Sequence, residues 1–176
     1  MNITGGKYNR QKITAPDEYI TRPTLSKVRM SVFNTLGAII DFEGKSFLDM
    51  YAGSGIMGLE ALSRGFGSLV AVEKNKKVYN VIKSNFDKYN KDNDIKLVFG
   101  DSLNVCKNLS QKFYVIYIDP PYFSGIYEKS LDVVKSLCEG IIILEHVTDV
   151  AISQDFEILK QKKYGDKFIT FLRISK

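Results

Sequence analysis

The sequence predicts an α/β fold, a mostly parallel sheet flanked by helices that ends in an antiparallel hairpin. Three observations carry this prediction. From about residue 46, short apolar runs alternate with helical stretches, the pattern of parallel strands joined by crossover helices. One of these strand-to-helix transitions passes through a glycine-rich turn, "YAGSG". The C-terminal stretch "FEILKQKKYGDKFITFLRI" reads as two strands turning at Gly165 and Asp166, which places an antiparallel pair at a sheet edge.

The elements follow in order. "ITGGKYNRQKITAP" alternates without a long apolar run and reads as a small hairpin or arm carrying Lys7, Arg10 and Lys12. Next, Leu25, Val28, Val32, Leu36 and Ile39 recur at helical spacing, with Pro23 or Thr24 at the start and Gly37 near the end. Lys27 and Arg29 of this helix are expected to point away from the sheet. Strands are predicted at Phe47 to Met50, Ser68 to Val72, Ile95 to Phe99, Tyr114 to Ile118 and Gly140 to Leu144. Helices are predicted near Met57 to Ser63, Lys76 to Tyr89, Leu103 to Leu109 and Tyr127 to Leu137. No repeat, low-complexity segment or linker divides the chain. Residues 1–176 are therefore expected to form one domain, with 1–45 as a basic arm and helix packed on the core.

Composition narrows the function. Hydrophobic residues make up 44% and charged residues 26% of the 176 positions, the balance of a globular chain. No apolar run approaches the roughly 20 residues of a bilayer crossing, and "MNITGGKYNRQKI" has no apolar signal core, so a cytoplasmic location and no membrane partner are expected. Two distant cysteines, Cys106 and Cys138, and a single histidine, His146, argue against a metal site or a disulfide framework. A net charge of +5 favours an anionic partner, with nucleic acid the commonest case.

In "FLDMYAGSGIMGLEAL", Gly53, Gly55 and Gly58 spell GxGxxG, and Glu73 ends the next strand about 20 residues on, where an acid can accept from ribose hydroxyls. Asp49 argues against a dinucleotide, because a carboxylate at this strand tip repels a pyrophosphate seated at the helix start. It suits a ligand with a cationic end. S-adenosylmethionine has an ammonium, a sulfonium and a ribose but no phosphate. Asp101 and Ser102 follow the third strand, where Asp101 is suited to an adenine amino group, to capping the next helix, or to both. Asp49, Glu73, Asp101 and Asp119 each sit at a strand's C-terminal end, the edge where open parallel sheets bind ligands.

"YVIYIDPPYFSG" closes a core strand with an acid, two prolines and an aromatic ring. Pro121 holds Pro120 extended, and Pro120 does the same to Asp119; neither proline has an N–H. The corner offers only acceptors, the Asp119 carboxylate and exposed carbonyls, and its natural target is an amino group. An exocyclic amino nitrogen is a poor nucleophile, and acceptors that bind its hydrogens stabilise the charge that develops as it attacks a methyl sulfonium. Tyr122 supplies a ring on which a base can stack, worth roughly 1 to 3 kcal/mol against the few kcal/mol of extruding a paired base.

These stretches carry a resemblance. "DPPY" with "LDMYAGSG" resembles the methyltransferases that act on exocyclic nitrogens. Together with "GGKYNRQKI", "RPTLSKVRMSVFNTL", "AVEKN", "ILEH" and "KKYGDKFITFLR", the chain resembles the RsmD-like 16S ribosomal RNA guanine-N2 methyltransferases over nearly its whole length. The resemblance implies a Rossmann-like class I methyltransferase fold with an antiparallel last strand. It implies S-adenosyl-L-methionine as cofactor and 16S rRNA, in the small ribosomal subunit or its assembly intermediate, as partner. Carried onto matching positions, Asp49, Tyr51, Ala52, Gly53, Ser54, Gly55 and Gly58 would line the methionine end. Glu73 and Lys74 would flank the ribose, and Asp101 and Ser102 the adenine. Asp119, Pro120, Pro121 and Tyr122 would form the catalytic corner, with Asp119 also at the cofactor. Lys7, Arg10, Lys12, Arg22 and Arg29 would face RNA. The arm has Asn9 where the family more often has glycine, and Tyr51 stands where phenylalanine is commoner.

Other readings share parts of this pattern. A DNA adenine-N6 methyltransferase could use the same corner, although about 45 residues before the first core strand leave little room for a recognition region. A glutamine-N5 protein methyltransferase would be expected to carry Asn in place of Asp119. A non-catalytic RNA-binding assembly factor could retain the fold, and loss of cofactor binding would mark it.

Overall fold

The computed structural model describes residues 1–16, 26–121 and 125–175. Helix α1 (Ser26–Gly37) precedes β1 (Ser46–Asp49), α2 (Ile56–Ser63), β2 (Ser68–Glu73), α3 (Lys76–Phe86) and β3 (Asp94–Phe99). There follow α4 (Ser102–Lys107), β4 (Phe113–Ile118), α5 (Ile126–Lys135), β5 (Cys138–His146), β6 (Phe156–Tyr164) and β7 (Lys167–Ile174). The seven strands form one sheet in the order β3-β2-β1-β4-β5-β7-β6. Pairing is parallel from β3 through β5 and antiparallel for β5–β7 and β6–β7, as the alternating pattern and the Gly165 turn predict.

The inner strands β1, β2, β4 and β5 are apolar on both faces because both are covered. Phe47, Ala71, Val115, Tyr117 and Ile143 pack toward α1, α2 and α3. Their neighbours Leu48, Val72, Ile116, Ile118 and Leu144 pack toward α4 and α5. This period of two down each strand divides the core between two layers. The predicted elements are all present, with ends moved by a few residues. α3 stops at Phe86 rather than Tyr89, its last turns passing into the polar stretch before β3, and β5 extends to His146. The Thr24 or Pro23 start proposed for the first helix lies outside the described residues.

The N-terminal segment is a compact hairpin closed by the Asn2–Lys12 bridge. Its turn uses Gly6 at φ +76° and Arg10 at φ +68°, the one non-glycine residue with positive φ among the described residues. The hairpin is fastened to α2. The Lys7 N–H donates to the Ser63 carbonyl at 2.7 Å, and the Ser63 hydroxyl donates to the Gly5 carbonyl at 2.5 Å. A side chain at Gly6 would place its Cβ 1.8 Å from the Ser63 oxygen, so the contact demands glycine.

Candidate active site

The parallel strands end on one edge of the sheet, and the order reverses between β1 and β4, where a crevice opens. A cavity of about 290 Å³ occupies it, lined by the glycine loop, by Glu73, Lys74 and Asn75 after β2, by Asp119 to Pro121 after β4, and by Lys167 of β7. The two motifs that the sequence sets 66 positions apart, Gly53 and Asp119, thus share one chamber.

Asp49 is the most unusual group in it. The carboxylate is 1% exposed, and neither oxygen has a hydrogen-bond partner among the described residues. Burial pushes its pKa up to about 7; the backbone N–H groups of Gly58 and Tyr51 oppose the rise from outside bonding geometry, and nearby Glu73 adds to it. An unpartnered buried carboxylate is costly, and a cationic ligand end would relieve it. Because the folded pKa exceeds the unfolded value of 3.8, Asp49 stabilises the fold fully below about pH 4, and that contribution is lost as pH rises toward about 7. Asp49→Asn is therefore expected to melt higher than the wild type at pH 8 and to lose this advantage at pH 4, as read by thermal unfolding without ligand. Cofactor affinity of the wild type should rise by up to tenfold per pH unit toward about pH 7, and titration calorimetry on Asp49→Asn should show no such acid limb.

Glu73 shapes the floor. Its carboxylate accepts from the Gly53 N–H at 3.1 Å and from the Asn75 N–H at 2.7 Å, so the acid expected at the ribose also fixes the loop. Gly53, at φ +54°, would carry a Cβ with the Tyr51 carbonyl at 3.9 Å as its nearest neighbour among the described residues, leaving its lining surface bare for a ligand. Tyr51, Ala52, Ser54, Lys74 and Ser102 line the same cavity. Burial raises the Tyr51 phenol to about 12, and its hydroxyl pairs with Ser130 at 2.7 Å. An anion-binding loop would not keep Asp49 bare, whereas S-adenosylmethionine, with a cation at one end and a diol beyond it, fits this donor and acceptor set.

Several expected site residues have other roles. Gly58 does not line the cavity: a Cβ there would lie 2.6 Å from Leu69, so the third glycine serves close packing of α2 on β2. Gly55 likewise makes room for Ile82 and Phe86. Asp101 is exposed, and its carboxylate caps α4 by accepting from the Asn104 N–H at 3.1 Å. Arg29 is the clearest correction. Expected to face RNA, it is 1% exposed, with its Nε 3.0 Å from Glu60 and a terminal nitrogen 2.8 Å from the Asn2 carbonyl. Its length lets it bridge α1, α2 and the arm under the surface.

Lys7, Arg10 and Lys12 are exposed, but the arm grips Ser63 at the C-terminal end of α2, while the cavity lies at its N-terminal end. At 1.5 Å per residue this is about 12 Å away. Lys7 is also held, at 3.1 Å from Asn93 and over the Tyr8 ring. Arg22 and Tyr122 lie outside the described residues. His146 is structural: its Nδ1 donates to the Thr148 carbonyl at 2.7 Å, its Nε2 accepts from the Thr170 hydroxyl at 2.9 Å, and its ring stacks on Phe168. Sequence reasoning missed Tyr117 and Lys167 as lining residues. The antiparallel direction of β7, which returns its first residue to this edge, was the available signal.

Comparison with known proteins agrees with this architecture. The sequence profile of the family described as "Conserved hypothetical protein 95" matches residues 1–173. YlbH of Bacillus subtilis, named as an rRNA methyltransferase, is 30% identical over 97% of this chain and 91% of its own length. The chain belongs to the RsmD-like family. Ribosomal RNA small subunit methyltransferase D of Escherichia coli is 28% identical over 77% of this RsmD-like chain and 67% of its own. The structure of Escherichia coli YhhF superposes with a TM-score of 0.87 at 23% identity, covering 99% of this chain and 97% of that one. The RsmD-like chain thus has the class I methyltransferase fold. Among its described residues, no helix is long and apolar enough to cross a membrane.

Proposed function

We propose that this chain is an S-adenosylmethionine-dependent rRNA methyltransferase that modifies the exocyclic N2 of one guanine in the 16S rRNA of the small ribosomal subunit. The observation that carries the reading is the meeting, in one cavity, of a buried carboxylate without a partner among the described residues, Asp49, and an acceptor-only corner, Asp119 to Pro121. The first suits a cationic cofactor end and the second an amino group. The relatives named as rRNA methyltransferases support the substrate class.

S-adenosylmethionine, when bound, supplies a methyl group on a cationic sulfur. The chain does the rest by placement. Asp49 faces the ammonium, the Gly53 turn leaves room for the methionine end, and Glu73 holds that turn while facing the ribose. Asp119 and the Pro120 carbonyl accept the two amino hydrogens, turning the nitrogen lone pair toward the methyl carbon. With the nitrogen so held, it would take the methyl group from the cofactor, the carbon–sulfur bonding electrons would stay on sulfur, and the extra amino proton would leave to solvent. In-line placement of this kind carries effective molarities on the order of 10⁵ to 10⁸ M. Tyr122 stacks on the base and holds it flat.

The test is to incubate the protein with labelled S-adenosylmethionine and small subunits lacking the modification, with naked rRNA and DNA alongside, and to identify the methylated nucleoside by mass spectrometry. N2-methylguanosine from subunits is the expected product. N6-methyladenine would overturn the base assignment while keeping the corner's chemistry, and cofactor binding without product would point to a binding role.

A further inference from the structure

We propose that Lys167 reads a ring carbonyl of the target base and so makes the site prefer guanine to adenine. The inference rests on the guanine-N2 reading above and assigns its specificity to one residue.

The topology puts Lys167 in the base half of the crevice. It opens β7, which runs against β5, so its first residue arrives at the edge where the parallel strands end. In the strand order β7 lies beyond β4 and β5, on the side away from β1 and β2, whose loops shape the cofactor end. Lys167 lines the same cavity as Asp119 and Pro121.

The side chain is fixed rather than floating. Its ammonium pairs with a Glu145 carboxylate oxygen, and the two side chains are 13% and 0% exposed. The other Glu145 oxygen accepts from the Tyr117 hydroxyl at 2.5 Å. Tyr117 also lines the cavity, so β4, β5 and β7 each contribute one member of a connected buried network. Glu145 is held at both oxygens, and a partner so held restricts the directions open to the lysine head.

Charge identifies the acceptor. The ammonium and the Glu145 carboxylate carry opposite charges, so an N–H turned toward a ligand would belong to a pair without net charge. A phosphate or the cofactor carboxylate would call for an uncompensated cation, whereas a neutral carbonyl is matched by a directed donor. Guanine with N2 at the Asp119 corner shows O6 farther along the same edge, beyond N1–H. Adenine with N6 at that corner shows a C–H there, which offers the ammonium no acceptor.

The experiment uses small subunits rebuilt with semisynthetic rRNA that carries guanine or 2-aminopurine at the modified position. The latter keeps the amino group but lacks both the carbonyl and the N1 hydrogen, and the lysine variants separate the two losses. Wild-type kcat/KM is expected to fall about 10- to 100-fold from guanine to 2-aminopurine, the size of one hydrogen bond to a charged donor. Lys167→Met should show the same fall on guanine and little further loss on 2-aminopurine, with cofactor Kd within a few fold of wild type. Because that variant leaves Glu145 buried alone, Lys167→Met combined with Glu145→Gln is measured beside it and should show the same pattern. Equal losses on both substrates, or full activity on guanine, would overturn the assignment. Absence of N2-methylguanosine with the wild type would overturn the guanine reading and this inference together.

Discussion

Asp119→Ala is expected to reduce turnover by roughly 10² to 10³, the loss typical of removing one preorganised polar group that faces developing charge, while cofactor affinity stays within a few fold. The reason lies in what the corner can and cannot do. Two prolines strip it of N–H groups, so the side chain at 119 and the neighbouring carbonyls are the chemistry available to an amino group. On the proposed mechanism, removing the carboxylate would leave the base bound but its nitrogen planar and unreactive. Asp119→Asn should fall between the two, because the amide keeps one acceptor and adds a donor that clashes with the amino hydrogens. Single-turnover methylation with labelled cofactor measures the first effect and calorimetric titration the second. Unchanged turnover in the alanine variant would sink the proposed mechanism.

Glu60→Ala is expected to produce the largest loss of stability, about 3 to 5 kcal/mol, the range for stripping a buried charge of its partner. Glu60 is fully buried and meets Arg29 at 3.0 Å and Arg64 in a second pair. The same carboxylate accepts from the Thr4 N–H at 2.9 Å and the Thr4 hydroxyl at 2.8 Å. Its removal leaves the Arg29 guanidinium buried without its carboxylate and cuts the Thr4 link between the arm and α2, leaving the Ser63 bonds to hold it. Urea unfolding should show the lower stability. Hydrogen exchange at Ile3 and Ile13 should accelerate more than exchange at β4, since only the former are held through this junction. A loss under 1 kcal/mol would show that Arg29 and Arg64 find other partners.

The parts of the site legible in the sequence were those whose chemistry is set by residue type. A glycine turn after an apolar strand and a double proline after another need no partner to be read, and Asp49 and Asp119 came with them. What the sequence hid were the pairings. Arg29 looks like any helical surface cation, and nothing near it in the chain announces Glu60, although an acid inside the apolar run "IMGLEAL" was a sign that something buried would meet it. Gly58 fitted a cofactor role by position, yet helix packing claims it, whereas Asp101 takes the capping role that the sequence offered beside contact with adenine. Lys167 was invisible for a topological reason: its importance depends on the direction of β7 and on Glu145, neither of which is local.

The fastening of the arm has a thermodynamic consequence for any RNA that docks on it. Its turns are closed by internal bonds, its Thr14 N–H and carbonyl are clasped by Asn85 at 3.0 and 2.8 Å, and Ile3 and Ile13 are already 1% and 0% exposed. The ordering entropy is spent when the protein folds, and little apolar surface remains to be covered when RNA arrives. Association through this element should therefore resemble the meeting of two rigid bodies, with a small heat-capacity change, in contrast to the large one of a segment that folds on its partner.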